Sequence, residues 1–142
     1  MSVSQLNIQH SLRTIIEDET GIPSVWVYDG VKLPEEKPFT TVEQMMAETE
    51  IISKGRQAVR TIFHFQVGVH ARNPNERARY QDVLQRLFLF GKIPLIDAET
   101  GAQNGHLRVN APYVTPIPAE DISDKSNYFR LYFDVTVDVV YN

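Results

Sequence analysis

The chain contains no cysteine. Disulfide staples, thiolate metal centres and cysteine nucleophiles are therefore excluded, and the redox compartment stays undetermined. Nor is there any apolar run near the ~20 residues a helix needs to cross a bilayer. The opening Met1-Ser2-Val3-Ser4-Gln5 lacks the basic and apolar stretches of a secretion signal. Together these absences point to a cytosolic product, or to part of a particle assembled in the cytosol. The formal net charge is only −4, which argues mildly against direct nucleic-acid binding. Catalytic signatures are missing too. No G-x-S-x-G elbow occurs, and Gly91-Lys92 follows a helical pattern, whereas a phosphate-cradling lysine opens a helix. There is no internal repeat and no low-complexity segment.

What remains is an ordinary globular composition, 42% hydrophobic and 23% charged, over a length that suits one domain spanning residues 1–142. Residues Ser4–Glu19 carry Ile8, Leu12, Ile15 and Ile16 on one stripe, with His10, Arg13 and Glu17 opposite, which predicts a first helix ended by Gly21. Ser24–Tyr28 alternates as a short strand, Val25 and Val27 against Trp26 and Tyr28, and Asp29-Gly30 starts a turn. Lys32–Pro38 is a loop. Asn73-Pro74-Asn75-Glu76 has an N-cap, a proline at the first helical position and a glutamate able to reach back to the cap. The helix it opens buries Tyr80, Val83, Leu84, Leu87 and Phe88 and stops at Gly91, leaving Leu89 on the wrong face for a core. Ile93–Asp97 is a short strand or edge, and Ala98–Gly105 a mobile loop. His106–Thr115 alternates with Leu107, Val109, Ala111 and Tyr113 on one face, bulged or at an edge because of Pro112. Pro116–Asn127 is irregular. Tyr128–Tyr141 closes the chain with Phe129, Leu131, Phe133, Val135, Val137 and Val139 facing in. The fold class is α+β: a mostly antiparallel sheet with a long β-hairpin and two helices on one face.

The most informative stretch is Phe39–Glu76. With Lys54-Gly55 as its turn, the hairpin sets Met46 opposite Phe63, Val42 opposite Val67 and Thr40 opposite Val69 on the core side. Toward the tip, Glu48 meets Thr61, Glu50 meets Val59 and Ile52 meets Gln57, a polar or mixed set. A compact chain of 142 residues is roughly 37 Å across. Val59–Ala71 would extend about 43 Å and Tyr128–Tyr141 about 46 Å at ~3.3 Å per residue. A ribbon that outruns its core either grips another chain or bends back over its own domain.

Reactive groupings are sparse. His64 and His70 share one strand face but stand about 20 Å apart, so they cannot share a metal within one chain, and His10 and His106 have no close ligand partner. Asp134 and Asp138 are about 13 Å apart, too far for a glycosidase pair, which needs about 5–9.5 Å. Arg72, Arg77, Arg79 and Arg86 gather around the second helix, either as a solvated face or as a docking surface for an acidic partner. Lys54 and Arg56 at the hairpin tip oppose Glu43, Glu48 and Glu50 further down. Such segregation suits head-to-tail contact between identical subunits, or pairing within the hairpin. No catalytic, metal-binding or cofactor-binding residue is expected. The expected interface set is Glu48, Glu50, Lys54, Arg56, Arg60, Arg72, Arg77, Leu89, Asp134 and Asp138.

The order helix, strand, long hairpin, capped helix and C-terminal strands resembles the tail terminator (tail completion, or head–tail joining) proteins of long-tailed bacteriophages. The residues that carry the likeness are F-H-F-Q-V-G-V-H-A-R at Phe63–Arg72, N-P-N-E-R-A-R-Y-Q-D-V-L-Q-R-L-F at Asn73–Phe88, and Y-F-R-L-Y-F-D-V-T-V-D-V-V-Y at Tyr128–Tyr141. The resemblance implies a non-enzymatic homo-oligomeric ring, usually a hexamer, in the tail or neck of the virion and assembled in the host cytoplasm. Such a ring caps the tail-tube protein, meets a head-completion or neck protein and lets DNA pass through its lumen without specific binding. It implies no membrane and no cofactor. Two other readings stay open: another phage neck, tube or baseplate-adaptor subunit, and a small-molecule-binding α+β domain whose pocket would use Trp26, Tyr28, Tyr113 and His106.

Overall fold

The computed structural model describes residues 4–28, 30–52, 55, 59–117 and 129–141. The elements run α1 (Gln5–Thr20), β1 (Ser24–Val27), β2 (Phe39–Ile51), β3 (Val59–Ala71), α2 (Pro74–Phe90), β4 (Ile93–Ile96), β5 (Gln103–Ile117) and β6 (Phe129–Tyr141). They form the expected α+β architecture, a curled six-stranded sheet in the order β1-β2-β3-β6-β5-β4 with both helices on one face. All pairings are antiparallel except β1 with β2, which is parallel.

α1 forms where its stripe predicts. Ser4 caps it by accepting from the Asn7 amide at 3.2 Å, and Gly21 ends it at φ +72°, a conformation only glycine adopts cheaply. Ile8, Leu12 and Ile16 are fully buried. Polar Asn7, Gln9 and Ser11 are buried as well, which the stripe alone does not predict. Two of them are spent on β4: the Ser11 hydroxyl accepts from the Ile96 amide at 2.8 Å, and Asn7 Oδ1 accepts from the Ala98 amide at 2.9 Å. The helix thus satisfies backbone donors of the β4 segment that would otherwise be stranded. On its other flank, Glu17 accepts from the Ser24 amide and Arg13 donates to the Ser24 carbonyl, so this face holds β1 and is not merely solvated.

β3 and β6 are the spine. They pair without a break from Val59 opposite Tyr141 to Ala71 opposite Phe129. Their inward rows, Phe63, Phe65, Val67 and Val69 with Leu131, Phe133, Val135, Val137 and Val139, meet Leu84, Leu87 and Phe88 of α2 and the stripe of α1. Fully burying each such side chain contributes roughly 1.5–3 kcal/mol. Tyr80 and Val83 of α2 are only half-buried.

The junction from β3 to α2 departs from a plain capping box. Asn73 Oδ1 accepts from the Glu76 amide at 2.8 Å, as expected. Glu76, however, reaches one residue further back, accepting from the Arg72 amide at 2.9 Å and from the Arg72 guanidinium at 2.8 Å. Gly91 does end α2, but at φ −75°. Glycine stands there because a β-carbon would collide with the Leu87 carbonyl and lie 2.9 Å from Leu87 Cδ1.

Two bulges correct the expected registers. Thr40 faces Val69 and Val42 faces Val67 as expected, but the register slips between Gln44 and Ala47. Two residues, Met45 and Met46, stand there against one, His64. Ala47 takes the place opposite Phe63 that the alternation gave to Met46, while Glu48 faces Ile62 and Glu50 faces Arg60. The second slip, between Asn110 and Tyr113, sets Tyr113 opposite Asp134 and turns Val114 toward the core. The bulge at Pro112 is the one its ring demands. The strand also begins and ends outside the expected limits: Gln103–Gly105 belong to β5 ahead of His106, as do Pro116 and Ile117 beyond Thr115. The expected mobile loop shrinks to a turn, in which Asp97 accepts from the Glu99 and Thr100 amides at 2.9 and 3.0 Å. The hairpin turn at Lys54, the pairing of Ile52 with Gln57, and Tyr128 lie outside the described residues.

Candidate functional site

β1 accompanies β2 only from Thr40 to Glu43. Beyond that point every residue of β2 from Gln44 to Ile51 is exposed. The ribbon is not a bare hairpin, because β6 runs beside β3 to its end, and Thr61, Phe63 and Val139 stay buried there. Among the described residues the unprotected feature is the distal half of β2, a strand edge with no neighbouring strand beyond Glu43.

The bulge shapes what this edge displays. Met45 and Met46 are 53% and 55% exposed. On the sheet face away from the helices they border an open cleft of about 350 Å³, lined also by His64, Phe65, Asp134, Val135 and Thr136. His64 Nε2 is 3.3 Å from Glu48 Oε1, near enough for an ion pair when the imidazole is protonated, but it makes no aligned hydrogen bond. Further out, Arg60 grips Asp138 through two hydrogen bonds of 2.9 and 2.8 Å, with Glu50 at 3.9 Å. Those bonds raise the Arg60 pKa and hold the Asp138 carboxyl below its ordinary value.

At the base of the same face the chemistry is closed off. His70 is buried, stacked on Phe39 at 4.5 Å between ring centroids and edge-on to Tyr132 at 6.1 Å. Burial, aided by Lys37 and Arg130, lowers its pKa to about 4. Gly68 lies beside this group, packed under Thr41 and Tyr132.

The expected interface residues fall into two groups. Glu48, Glu50, Arg60, Asp134 and Asp138 share the distal sheet, where Arg60 already engages Glu50 and Asp138 within the chain. Arg72, Arg77 and Leu89 belong to the strand–helix junction and α2. Arg72 is committed to Glu76, Arg77 is half-buried, and Leu89 is 68% exposed. Lys54 and Arg56 lie outside the described residues. Reading the alternation missed Met45, Phe90 and the cleft itself. Two adjacent methionines ahead of an acidic strand were the available signal for a bulged, adaptable edge. Phe90, 83% exposed, follows the last buried residue of α2.

Among the described residues no three His, Asp or Glu side chains converge to hold a metal ion. The aromatics considered for a small-molecule pocket are dispersed: Trp26 in β1 packs edge-to-face near Tyr28 at 5.5 Å, whereas His106, opposite Pro94 in the β4–β5 pair, is separated from β1 by β2, β3 and β6. No protein-family model matches this chain, and no curated protein sequence does either.

Proposed function

We propose that this chain is a structural virion protein of a long-tailed bacteriophage, a tail terminator that closes into a hexameric ring on the last ring of the tail tube. In that role it joins the tube protein to a head-completion or neck protein, and DNA crosses its lumen without specific contacts. It works by assembly and carries out no catalysis. The observation that carries the proposal is the distal half of β2, long, exposed and edged with charge, on a domain whose spine is otherwise fully paired. An unprotected edge of this length is ordinarily shielded in a soluble monomer. A ring subunit has a use for it.

The test pairs native mass spectrometry of the purified protein at micromolar concentration with electron microscopy of tubes grown from the tail-tube protein of the same genome. A discrete ring, or rings seated at tube ends, is the expected result. A monomer that also ignores tube ends refutes the proposal. Rings that seat on another tail or neck component instead move the chain to that position in the particle.

A further inference from the structure

Two apolar features have no partner within the described chain. The first is the cleft at the β2 bulge, walled by Met45 and Met46 and bordered by the acids Glu48 and Asp134. The second is a knob. α2 runs past Phe88, its last buried residue, and presents Leu89 and Phe90 at 68% and 83% exposure. The knob is bordered by exposed Arg86 and followed by exposed Lys92, with Glu19 of α1 the acid beside them. Cleft and knob belong to opposite layers: the cleft opens on the sheet face away from the helices, whereas the knob ends a helix of the other layer. They cannot meet inside one molecule.

We infer that Leu89 and Phe90 of one copy seat in the Met45–Met46 cleft of the next, with Arg86 and Lys92 meeting Glu48 and Asp134. The inference rests on the ring reading and names its subunit contact. A second copy is the occupant because the two rims carry opposite charge. A symmetric pairing would set acid on acid or base on base, which electrostatics disfavours. Methionine suits the receiving side, since its unbranched thioether side chain moulds to an aromatic ring and gains sulfur–aromatic contact. A contact between two different surfaces is head-to-tail, and it closes into a ring when its rotation divides the circle.

The test uses two variants, each with one damaged side. Phe90→Asp removes the knob, and Met46→Lys repels the basic rim from the cleft. Both positions are over half exposed, so circular dichroism and the melting temperature should match the parent protein. Mass photometry and native mass spectrometry then read the assembly. The parent protein should form closed oligomers, and each variant alone should be monomeric. An equimolar mixture should double in mass and stop at the dimer, since one sound knob meets one sound cleft and no second contact is possible. Arg86→Glu should also lose assembly, and Glu48→Arg in the same chain should restore it. Oligomers that survive either single variant, or a mixture that stays monomeric, overturn this contact and leave the ring reading standing. A parent protein that is monomeric and forms no ring on tail tubes overturns both.

Discussion

Replacing Gly68 with alanine isolates a packing constraint on the outer sheet face. The added β-carbon would overlap Thr41 Oγ1 and lie 2.9 and 3.1 Å from Tyr132 Cε1 and Cδ1, inside the ~3.5–4.0 Å at which carbon atoms pack best. Thr41 is buried and branched at its β-carbon, so it turns away with difficulty. Two effects oppose each other. Removing a glycine from a strand gains about 0.5–1 kcal/mol of backbone entropy. Overpacking of this kind costs about 1–3 kcal/mol. The overlap should win, giving a net loss of about 1–2 kcal/mol. Urea unfolding should show the midpoint falling at constant slope. Thr41→Ala should then cost less in the Gly68→Ala background than alone, with a coupling of about 0.5–3 kcal/mol. A Gly68→Ala protein that is more stable than the parent, with no coupling to Thr41, would refute the reasoning.

Leu84→Ala should lose about 2–5 kcal/mol by urea unfolding, because Leu84 is fully buried between α2 and the sheet; normal stability would place α2 off the core. Asn73→Ala should cost about 0.5–2 kcal/mol by removing the cap on the Glu76 amide, with hydrogen exchange accelerating first in the opening turn of α2. His70 is neutral in the folded state, its pKa lowered from 6.5 to about 4. The unfolded chain therefore takes up a proton that the folded chain refuses, so stability is whole above pH 6.5 and declines as pH falls toward 4. The full decline is on the order of 3 kcal/mol. Thermal melts between neutral pH and about 5, above the range where the carboxylates protonate, should flatten in His70→Phe; an unchanged slope would mean that His70 is not the group responsible.

Where one periodicity governed a whole element, the sequence was a reliable guide. The inward row of β6, the stripe of α1 and the cap at Asn73 each depend on neighbours a few residues away. The alternation stayed true at Thr40 and Val42 and failed after Gln44, because a bulge adds a residue without changing the character of the pattern. Met46 looks as suitable for a core as Ala47 until the slip at His64 is known. Pro112 announced its bulge, since its ring cannot join a ladder; Met45 had no such constraint. Buried Asn7 and Ser11 were hidden for another reason. Their partners, Ala98 and Ile96, lie some ninety residues downstream by sequence count, and only tertiary packing supplies them. The candidate surface was half legible: its acids and Leu89 stood out as charge and misplaced hydrophobicity, while the cleft exists only once two methionines crowd against one histidine.

The unbroken β3–β6 pairing also governs when the molecule can be made. Arg60 and Asp138 bond across 78 positions of sequence, and the spine is missing until Phe129–Tyr141 has left the ribosome. Until then the nascent chain must hold β2 and β3 as a ribbon with one bare inner edge, exposed to itself and to its siblings on the same messenger. Non-local pairing of this kind forms slowly and leaves time for mispairing.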